Sequence, residues 1–347
     1  MMKAVVFAGT GESLLVEDRE KPTAGRGELV LRVKACGICG SDLHAVSAVN
    51  ANTYRDGVVM GHEFCGEVAE IGAGVEGWSL GDRALGVPVW FCDKCDSCRQ
   101  GKPFQCQNLQ TIGIDLDGAY AEYVRIKAAA AISIPDHLSD EMAVLYEPLS
   151  VALQAFRRGN IGEADNVLII GGGPIGLSLA MLAKHFGVKF VGLSEMQPER
   201  LNLAGQCGAN VIIDASQTSD PVATFAEQTG VQPAVIFECV GLPGMFQRVI
   251  NMAPLRSRVV MAGTCMESEN FTVVQAALKH LDIQFTYGYD DADISYVFEK
   301  IVNGSIDPSP MLSSRSSLDE LPAIFERMLS PNAECKVVVF PGDTSKN

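Results

Sequence analysis

Four cysteines stand close together in one short polar segment, and their type and spacing suit metal binding. They follow the pattern C-x2-C-x2-C-x7-C and are Cys92, Cys95, Cys98 and Cys106. Structural zinc takes four soft ligands in a tetrahedral arrangement and keeps no open position. Short C-x-x-C steps let consecutive backbone turns converge on one ion, a spacing that four unrelated surface cysteines would not share. Residues 90–108 are therefore predicted to form a structural zinc lobe rather than a reactive centre.

A glycine-rich run offers a second kind of chemistry, the binding of phosphates. Four apolar residues typical of a buried strand, Val167–Ile170, lead into a G-x-G-x-x-G pattern made by Gly171, Gly173 and Gly176. In dinucleotide-binding folds the first glycine makes the tight turn and the second lets the backbone approach a pyrophosphate. The third lets the helix pack on the strand.

Two further features support a dinucleotide site. Pro174 and Ile175 open the predicted helix, whose free N–H groups would bind the phosphates. Glu195 ends the next predicted strand, 19 residues after Gly176, where such folds place an acid for the adenine ribose. The alternative interpretation is an ordinary strand, turn and helix, which does not explain the acid at that distance.

The elements that would position these residues change in character near residue 150. Up to that point, short β-forming segments separated by glycine turns are typical of a barrel-like all-β unit. From Asn166 onward, apolar strands alternate with helical stretches, which is typical of a parallel, doubly wound sheet. The last residues are predicted to return to the first domain. The sequence thus predicts an α/β protein with a dinucleotide-binding domain over 151–289 and a catalytic domain over 1–150 and 290–347.

Composition excludes several classes of function. The chain of 347 residues has 27 basic and 42 acidic side chains, a net charge of −15 that disfavours nucleic acid and anionic membrane surfaces as partners. No apolar run approaches the length of a membrane helix, and the first nine residues are typical of a strand rather than a signal peptide. Eleven cysteines without a secretion signal indicate metal or thiol chemistry in a reducing compartment, so we expect a cytoplasmic protein.

Two more segments contain dispersed candidate ligands. Cys39 lies in the segment CGICGSDLH of residues 36–44, and His62 and Glu63 lie in GHEF. Together with the four-cysteine lobe and the glycine pattern, these segments occur in the order found in the zinc-dependent medium-chain alcohol dehydrogenases, and the chain resembles that family over nearly its whole length. It looks most similar to the sorbitol, threonine and butanediol dehydrogenases, also through the segment EPLSV that begins at Glu147. The resemblance implies a GroES-like catalytic domain and a Rossmann coenzyme domain.

The resemblance also implies a catalytic zinc, the second of two per chain. Its ligands would be Cys39, His62 and a third residue that corresponds to Glu147, while in related enzymes the position of Glu63 can itself bind the metal. Glu147 precedes Pro148, which predicts an extended or turn conformation. We expect Glu147 to complete the site, with Glu63 as the alternative. Ser41 and His44 would carry the proton from the alcohol to solvent.

For the coenzyme, the resemblance adds residues to the glycine pattern. Arg200 corresponds to a basic residue that contacts the adenosine ribose, although a solvated helix residue is an equal alternative. Val240 and Gly263 follow later strands and would line the nicotinamide pocket. Because Glu195 would repel a 2′-phosphate and Met196 and Gln197 offer no cation for one, NAD is the expected coenzyme.

The function implied is transfer of a hydride between NAD(H) and a secondary alcohol, diol or polyol, or the matching ketone. One alternative is an NAD(P)H-dependent double-bond reductase of the same fold, which would generally lack Cys39, His62 and Glu147. Another is a non-enzymatic zinc- and nucleotide-binding protein, which gives no reason for Ser41 and His44. The family forms homodimers or homotetramers by joining coenzyme-domain sheets, and the apolar segment 283–287 is the candidate edge.

Overall fold

The computed structural model describes residues 1–47, 54–330 and 332–342, and it divides into two units. The first unit consists of Met1–Leu145, Ser314–Ser330 and Lys336–Asn347. The second consists of Tyr146–Ser313 and Pro331–Cys335. Within the described ranges, every helix is too short or too polar to span a bilayer.

Strands dominate the first part of the chain, and strands alternate with helices in the second. Up to residue 145 the elements are β1 (Met2–Val6), β2 (Leu15–Arg19), β3 (Glu28–Gly37), α1 (Gly40–Val46), β4 (Glu63–Ile71), β5 (Arg83–Gly86), β6 (Val89–Trp90), α2 (Asp96–Arg99), β7 (Gln110–Thr111), β8 (Tyr123–Lys127), β9 (Ala131–Ser133) and α3 (Asp140–Ala143). There follow α4 (Tyr146–Arg158), β10 (Val167–Ile170), α5 (Pro174–His185), β11 (Val191–Glu195), α6 (Pro198–Gln206), β12 (Val211–Asp214), α7 (Pro221–Thr229), β13 (Val235–Glu238), α8 (Met245–Met252), β14 (Arg258–Met261), α9 (Val273–Leu278), β15 (Asp282–Phe285) and α10 (Asp291–Val302). The last elements are β16 (Leu312–Ser316), α11 (Leu321–Met328) and β17 (Lys336–Val339).

The first unit is built around the long strand β3. This strand pairs antiparallel with β4, β8 and β17, and the main sheet has the order β16-β17-β3-β4-β5-β9. Alternate residues of β3 share one face of the sheet, and three of them, Leu29, Leu31 and Val33, are buried in the core with Val68 and Val124. The pairing of β3 with β17 joins the end of the chain to the segment that leads into α1.

The second unit contains a six-stranded parallel sheet of order β12-β11-β10-β13-β14-β15. All four residues of β10 are buried, as expected for a strand covered by helices on both faces. The strand order reverses between β10 and β13, and ligands of such sheets bind at the carboxyl ends of the strands beside this reversal. The predicted α/β class with a doubly wound parallel sheet is confirmed.

Two details differ from the sequence-based expectations. The extended or turn conformation expected for Glu147 is wrong, because Glu147 is the second residue of helix α4. Pro148 is tolerated there since an N–H in the first turn of a helix has no partner within the helix. The chain returns to the first unit at Ser314 rather than at residue 290, because α10 lies with α4 in the second unit, where Asp293 pairs with Arg157.

Candidate metal centres and coenzyme site

The first unit brings together three of the predicted catalytic residues. Cys39 directly precedes α1, His62 directly precedes β4, and Glu63 is the first residue of β4. Their ligand atoms all lie within 4.8 Å of one another. His62 and Glu63 are buried and Cys39 is partly exposed. The pairing of β3 with β4 creates this proximity, because Glu63 lies opposite Gly37, two residues before Cys39.

Asp42 holds this cluster together from inside α1. Its carboxylate, which is fully buried, accepts hydrogen bonds from the Cys39 N–H at 3.1 Å, from Tyr54 at 2.9 Å and from Tyr120 at 2.6 Å. Its Oδ1 also lies 3.5 Å from Nδ1 of His62. Burial opposes the charge on the imidazole, but Asp42 and Cys39 outweigh burial and raise the pKa of His62 well above its usual value. Sequence reasoning assigned Asp42 no role, although its place three residues after Cys39 was a usable signal.

Glu63 also takes part in a buried ion pair. The Nζ atom of Lys336 lies 2.7 Å from both carboxylate oxygens of Glu63, and both side chains are 1% exposed. The same Nζ donates to the carbonyl of Ile38 at 2.8 Å. A Cβ atom on Gly37 would overlap the Glu63 carboxylate, so glycine is required there. Nothing in the sequence indicated Lys336, because a lone lysine at the start of a strand carries no pattern.

The donor set fits zinc. One thiol, one imidazole and one carboxylate are the ligand types of catalytic zinc sites, which keep three protein ligands and an open position. Nδ1 of His62 is buried without a hydrogen bond of ordinary geometry among the described residues, and Asp42 is placed to accept its proton. A carboxylate behind a ligating histidine is the usual outer partner in such sites.

The other predicted catalytic residues lie as follows. Ser41 is on α1, with its Oγ 3.2 Å from the Tyr54 hydroxyl. His44 is half-buried on the same helix, and burial lowers its pKa. Glu147 is 7% exposed and belongs to the second unit. Its role as third ligand and the proton relay of Ser41 and His44 stay predictions.

The four-cysteine lobe is assembled as a metal site. The sulfur atoms of Cys92, Cys95, Cys98 and Cys106 all lie within 4.8 Å of one another. Backbone N–H groups of Cys92 and Asn108 point at the Cys106 sulfur at 3.4 and 3.3 Å. Backbone N–H groups of Lys94 and Cys95 lower the pKa of Cys92 to about 6, whereas desolvation and the neighbouring thiols raise that of Cys98 to about 12. Four sulfurs at this separation fit a structural zinc ion.

The predicted phosphate-binding turn has the expected geometry in the second unit. Gly171 has φ +104°, a conformation that side chains rarely adopt, and Gly173 caps α5, which begins at Pro174. A Cβ atom on Gly176 would overlap the carbonyl of Gly171, so the helix can pack on the turn only with glycine there. The N-terminus of α5, which begins with Pro174 and Ile175, lies at the carboxyl end of β10, and a Cβ atom on its capping residue Gly173 would meet nothing within 4 Å.

Glu195 ends β11 and faces this turn. Its Oε2 accepts the Gly172 N–H at 2.7 Å, and its Oε1 accepts the N–H groups of Met196 and Gln197 at 2.6 and 2.9 Å. The backbone thus fixes the carboxylate at the edge of the glycine turn. Arg200 donates from Nη2 to the carbonyl of Glu334 at 2.8 Å, and its Nε is buried without a partner among the described residues.

Val240 and Gly263 lie together at the ends of β13 and β14. The N–H of Val240 donates to Oε1 of Glu238 at 2.7 Å, and the N–H of Gly263 donates to the Glu238 carbonyl at 2.7 Å. Gly171 borders the same place, since a Cβ atom on it would lie 2.9 Å from Cγ2 of Val240. Sequence reasoning missed Glu238, which is fully buried.

Comparison with known proteins agrees with this geometry. Residues 25–136 match the family model of the alcohol dehydrogenase GroES-like domain, and residues 174–303 match that of the zinc-binding dehydrogenases. The expected GroES-like first domain is thereby confirmed. The L-threonine 3-dehydrogenase of Alteromonas mediterranea is 31% identical over 332 residues, which cover 94% of this chain and 96% of that enzyme.

Solved structures match along the whole chain. A zinc-binding dehydrogenase of Sinorhizobium meliloti 1021 with bound NADP has a TM-score of 0.87 and 32% identity, and covers 98% of this chain and 99% of its own. An alcohol dehydrogenase of Escherichia coli CFT073 with NADH has a TM-score of 0.86 and 30% identity, with 98% and 99% covered. The 2R,3R-butanediol dehydrogenase of Bacillus subtilis has a TM-score of 0.87 and 29% identity, with 99% and 100% covered. With both cysteine-containing metal sites and the dinucleotide turn in place, the chain belongs to the zinc-containing medium-chain alcohol dehydrogenase family and is a zinc-dependent alcohol dehydrogenase.

Proposed function

We propose that this enzyme transfers a hydride between NAD(H) and a secondary alcohol, diol or polyol, or the matching ketone. The observation that carries the proposal is the cluster of Cys39, His62 and Glu63 in a chain whose second unit has a dinucleotide-binding turn. In this proposal the first unit supplies the catalytic residues and the second binds the coenzyme. The double-bond reductase alternative leaves the Cys39 and His62 pair without a task.

Cys39, His62 and one glutamate would hold the catalytic zinc, and Cys92, Cys95, Cys98 and Cys106 the structural one. When bound, the catalytic zinc supplies Lewis acidity, which lowers the pKa of an alcohol. The residues of the chain would orient the metal ligands and transfer the proton. Asp42 orients the His62 ring, while Ser41 and His44 would move the released proton to solvent.

We propose NAD as the preferred coenzyme. Backbone N–H groups hold the carboxylate of Glu195 at the end of β11, where in this proposal it would accept bonds from the ribose hydroxyls and repel a 2′-phosphate. The coenzymes seen in the related structures include both NADP and NADH. The turn made by Gly171, Gly173 and Gly176 would hold the pyrophosphate at the start of α5, where Pro174 has no N–H to donate and Ile175 supplies a free backbone N–H. Val240 and Gly263 would lie at the nicotinamide end.

The substrate class rests on the relatives, which act on threonine and on butanediol by their names. Both compounds carry a secondary hydroxyl beside a second polar group. The test is a panel of vicinal diols, polyols and 3-hydroxy amino acids, read as NADH absorbance with the zinc-loaded protein. Oxidation of simple primary alcohols alone would contradict the proposal.

We further propose that the chain forms a homodimer or homotetramer through the open edge of β15. Phe285 and Tyr287 are 66% and 83% exposed there, and Val273, Val274 and Leu278 of α9 are exposed as well. An exposed sheet edge invites pairing. We also propose a reducing compartment, the cytoplasm, since none of the eleven cysteines is in a disulfide and the proposed zinc ligands among them must stay reduced.

A further inference from the structure

Glu238 is a buried acid at the reversal point of the second unit's sheet, and the proposed chemistry assigns it no task. It is the last residue of β13 and is 0% exposed. Its Oε1 accepts two backbone N–H groups, that of Val240 at 2.7 Å and that of Gly241 at 3.0 Å. A side chain is thus bound to the backbone of the turn that follows its own strand.

The other carboxylate oxygen faces the next strand end. A Cβ atom on Gly263 would lie 2.6 Å from Oε2 of Glu238, so the carboxyl group packs directly on the backbone of residue 263. The carbonyl of Glu238 accepts the N–H groups of Ala262 and Gly263 at 2.8 and 2.7 Å. Glu238 therefore ties together the turns after β13 and β14.

In doubly wound sheets dinucleotides bind at the carboxyl ends of the strands beside the reversal of strand order, which is where the turn after β13 lies, next to the turn after β14. The N–H of Cys239 donates to the carbonyl of Ile170 at 2.8 Å, which fixes the turn after β13 against the glycine turn after β10. Gly241 has φ +67° and would clash with residue 264 if it carried a Cβ atom. The turn has little freedom of its own, and the acceptor that satisfies its two N–H groups is Oε1 of Glu238.

We infer that Glu238 is a positioning residue for the coenzyme, which sets the backbone of residues 239–241 and 263 against the nicotinamide half of the dinucleotide. The inference rests on the proposed function, since it assumes that a nicotinamide dinucleotide occupies this crevice. Without the acceptor, the buried N–H of Gly241 and the part-buried N–H of Val240 lose their partner, and the turn must move to expose them to water. The backbone of residues 239–241 and 263 would then be displaced from the coenzyme, while the zinc ligands of the first unit stay in place.

Two substitutions separate this role from a general contribution to stability. Glu238→Gln keeps an acceptor oxygen for both N–H groups, whereas Glu238→Ala removes it. Glu163→Ala, at an exposed acid of the same unit, is the matched control for loss of one carboxylate. The measurements are the dissociation constant of NADH by fluorescence, kcat and KM at saturating and limiting NAD, the zinc content and the thermal midpoint of the zinc-loaded enzyme.

We expect Glu238→Ala to weaken NADH binding by about tenfold or more, with zinc content unchanged and kcat at saturating coenzyme within about threefold. Glu238→Gln should restore binding to within about threefold, and Glu163→Ala should match the unaltered enzyme. Unchanged NADH binding in Glu238→Ala, an equal loss in Glu238→Gln, or a parallel loss of zinc, kcat and coenzyme binding would overturn the inference. If the unaltered enzyme bound neither NADH nor NADPH, the proposed function would fail and this inference with it.

Discussion

Lys336 and Glu63 form an ion pair that is closed to solvent, with Nζ at 2.7 Å from both carboxylate oxygens. The pair connects the last strand of the first unit, β17, to the first residue of β4. It also lies beside Cys39 and His62, so that a carboxylate within 4.8 Å of those two ligand atoms already has a positively charged partner. Removing one partner of such a pair leaves an uncompensated buried charge.

We predict that Lys336→Met destabilises the protein by about 3 kcal/mol or more, because Glu63 then remains buried without its counter-charge. The double variant Lys336→Met with Glu63→Gln should recover part of this loss, since no isolated charge is left. Denaturant unfolding of the three proteins measures the effect. A single variant as stable as the unaltered enzyme would show that the pair contributes nothing.

The same ion pair bears on the identity of the third zinc ligand. Because Lys336 binds both oxygens of Glu63, we predict that Glu147→Gln lowers the content of catalytic zinc, whereas Glu63→Gln retains the metal. One carboxylate with the Cys39 thiolate and a neutral His62 brings the formal charge of the zinc site to zero, which suits a poorly hydrated site. Metal analysis and turnover of both variants decide the matter. Because Glu63→Gln leaves the buried Lys336 without its counter-charge, the double variant with Lys336→Met is measured beside it. If that double variant also loses the metal while Glu147→Gln keeps it, Glu63 is the ligand and Glu147 acts behind it.

The two cysteine sites should fail in different ways. Cys39→Ser should leave a folded protein whose kcat is lower by about 100-fold or more, since loss of outer partners alone already costs 10- to 100-fold in such sites. Cys95→Ser should instead lower the thermal midpoint, because structural zinc contributes to the free energy of folding. Metal analysis of the fully loaded enzyme should give two zinc ions per chain. One zinc or none would contradict the assignment.

The four-cysteine lobe and the glycine turn could be predicted from regular spacing, because the residues that form each of these two sites are close to one another in the sequence. The geometry confirms that Gly171 and Gly176 meet the steric demands expected of them. The roles of Lys336 and Glu238 could not be predicted, because no regular spacing in the sequence marks either residue. Each acquires its partner only through strand pairing or through the turn after its own strand, and an isolated charged residue gives no periodic signal. The residue before a proline usually adopts an extended or turn conformation, but Glu147 is helical because proline is tolerated in the first turn of a helix.

The edge of β15 should be the assembly surface. Exchanging Phe285 for Lys and Tyr287 for Ser should dissociate the oligomer, because both side chains are largely exposed in the single chain. Light scattering at working concentration measures the mass, and exchange of the exposed Leu80 for Ser in the first unit is a matched control. A monomeric unaltered enzyme would refute the prediction.

The coenzyme preference should depend on Glu195. Replacing it by Ala removes the acceptor for the ribose hydroxyls and the repulsion of a 2′-phosphate at once, so KM for NAD should rise by about tenfold or more while KM for NADP falls relative to it. The variant also frees the Gly172 N–H, which the carboxylate now binds at 2.7 Å, and part of the loss would come from that turn. Glu195→Gln separates the two contributions, because its amide oxygen can still accept the Gly172 N–H but carries no charge. Kinetics with NAD and NADP for both variants provide the measurement. If Glu195→Gln already shifts the preference toward NADP, charge repulsion is the cause, and unchanged kinetics in Glu195→Ala would show that the carboxylate does not meet the ribose.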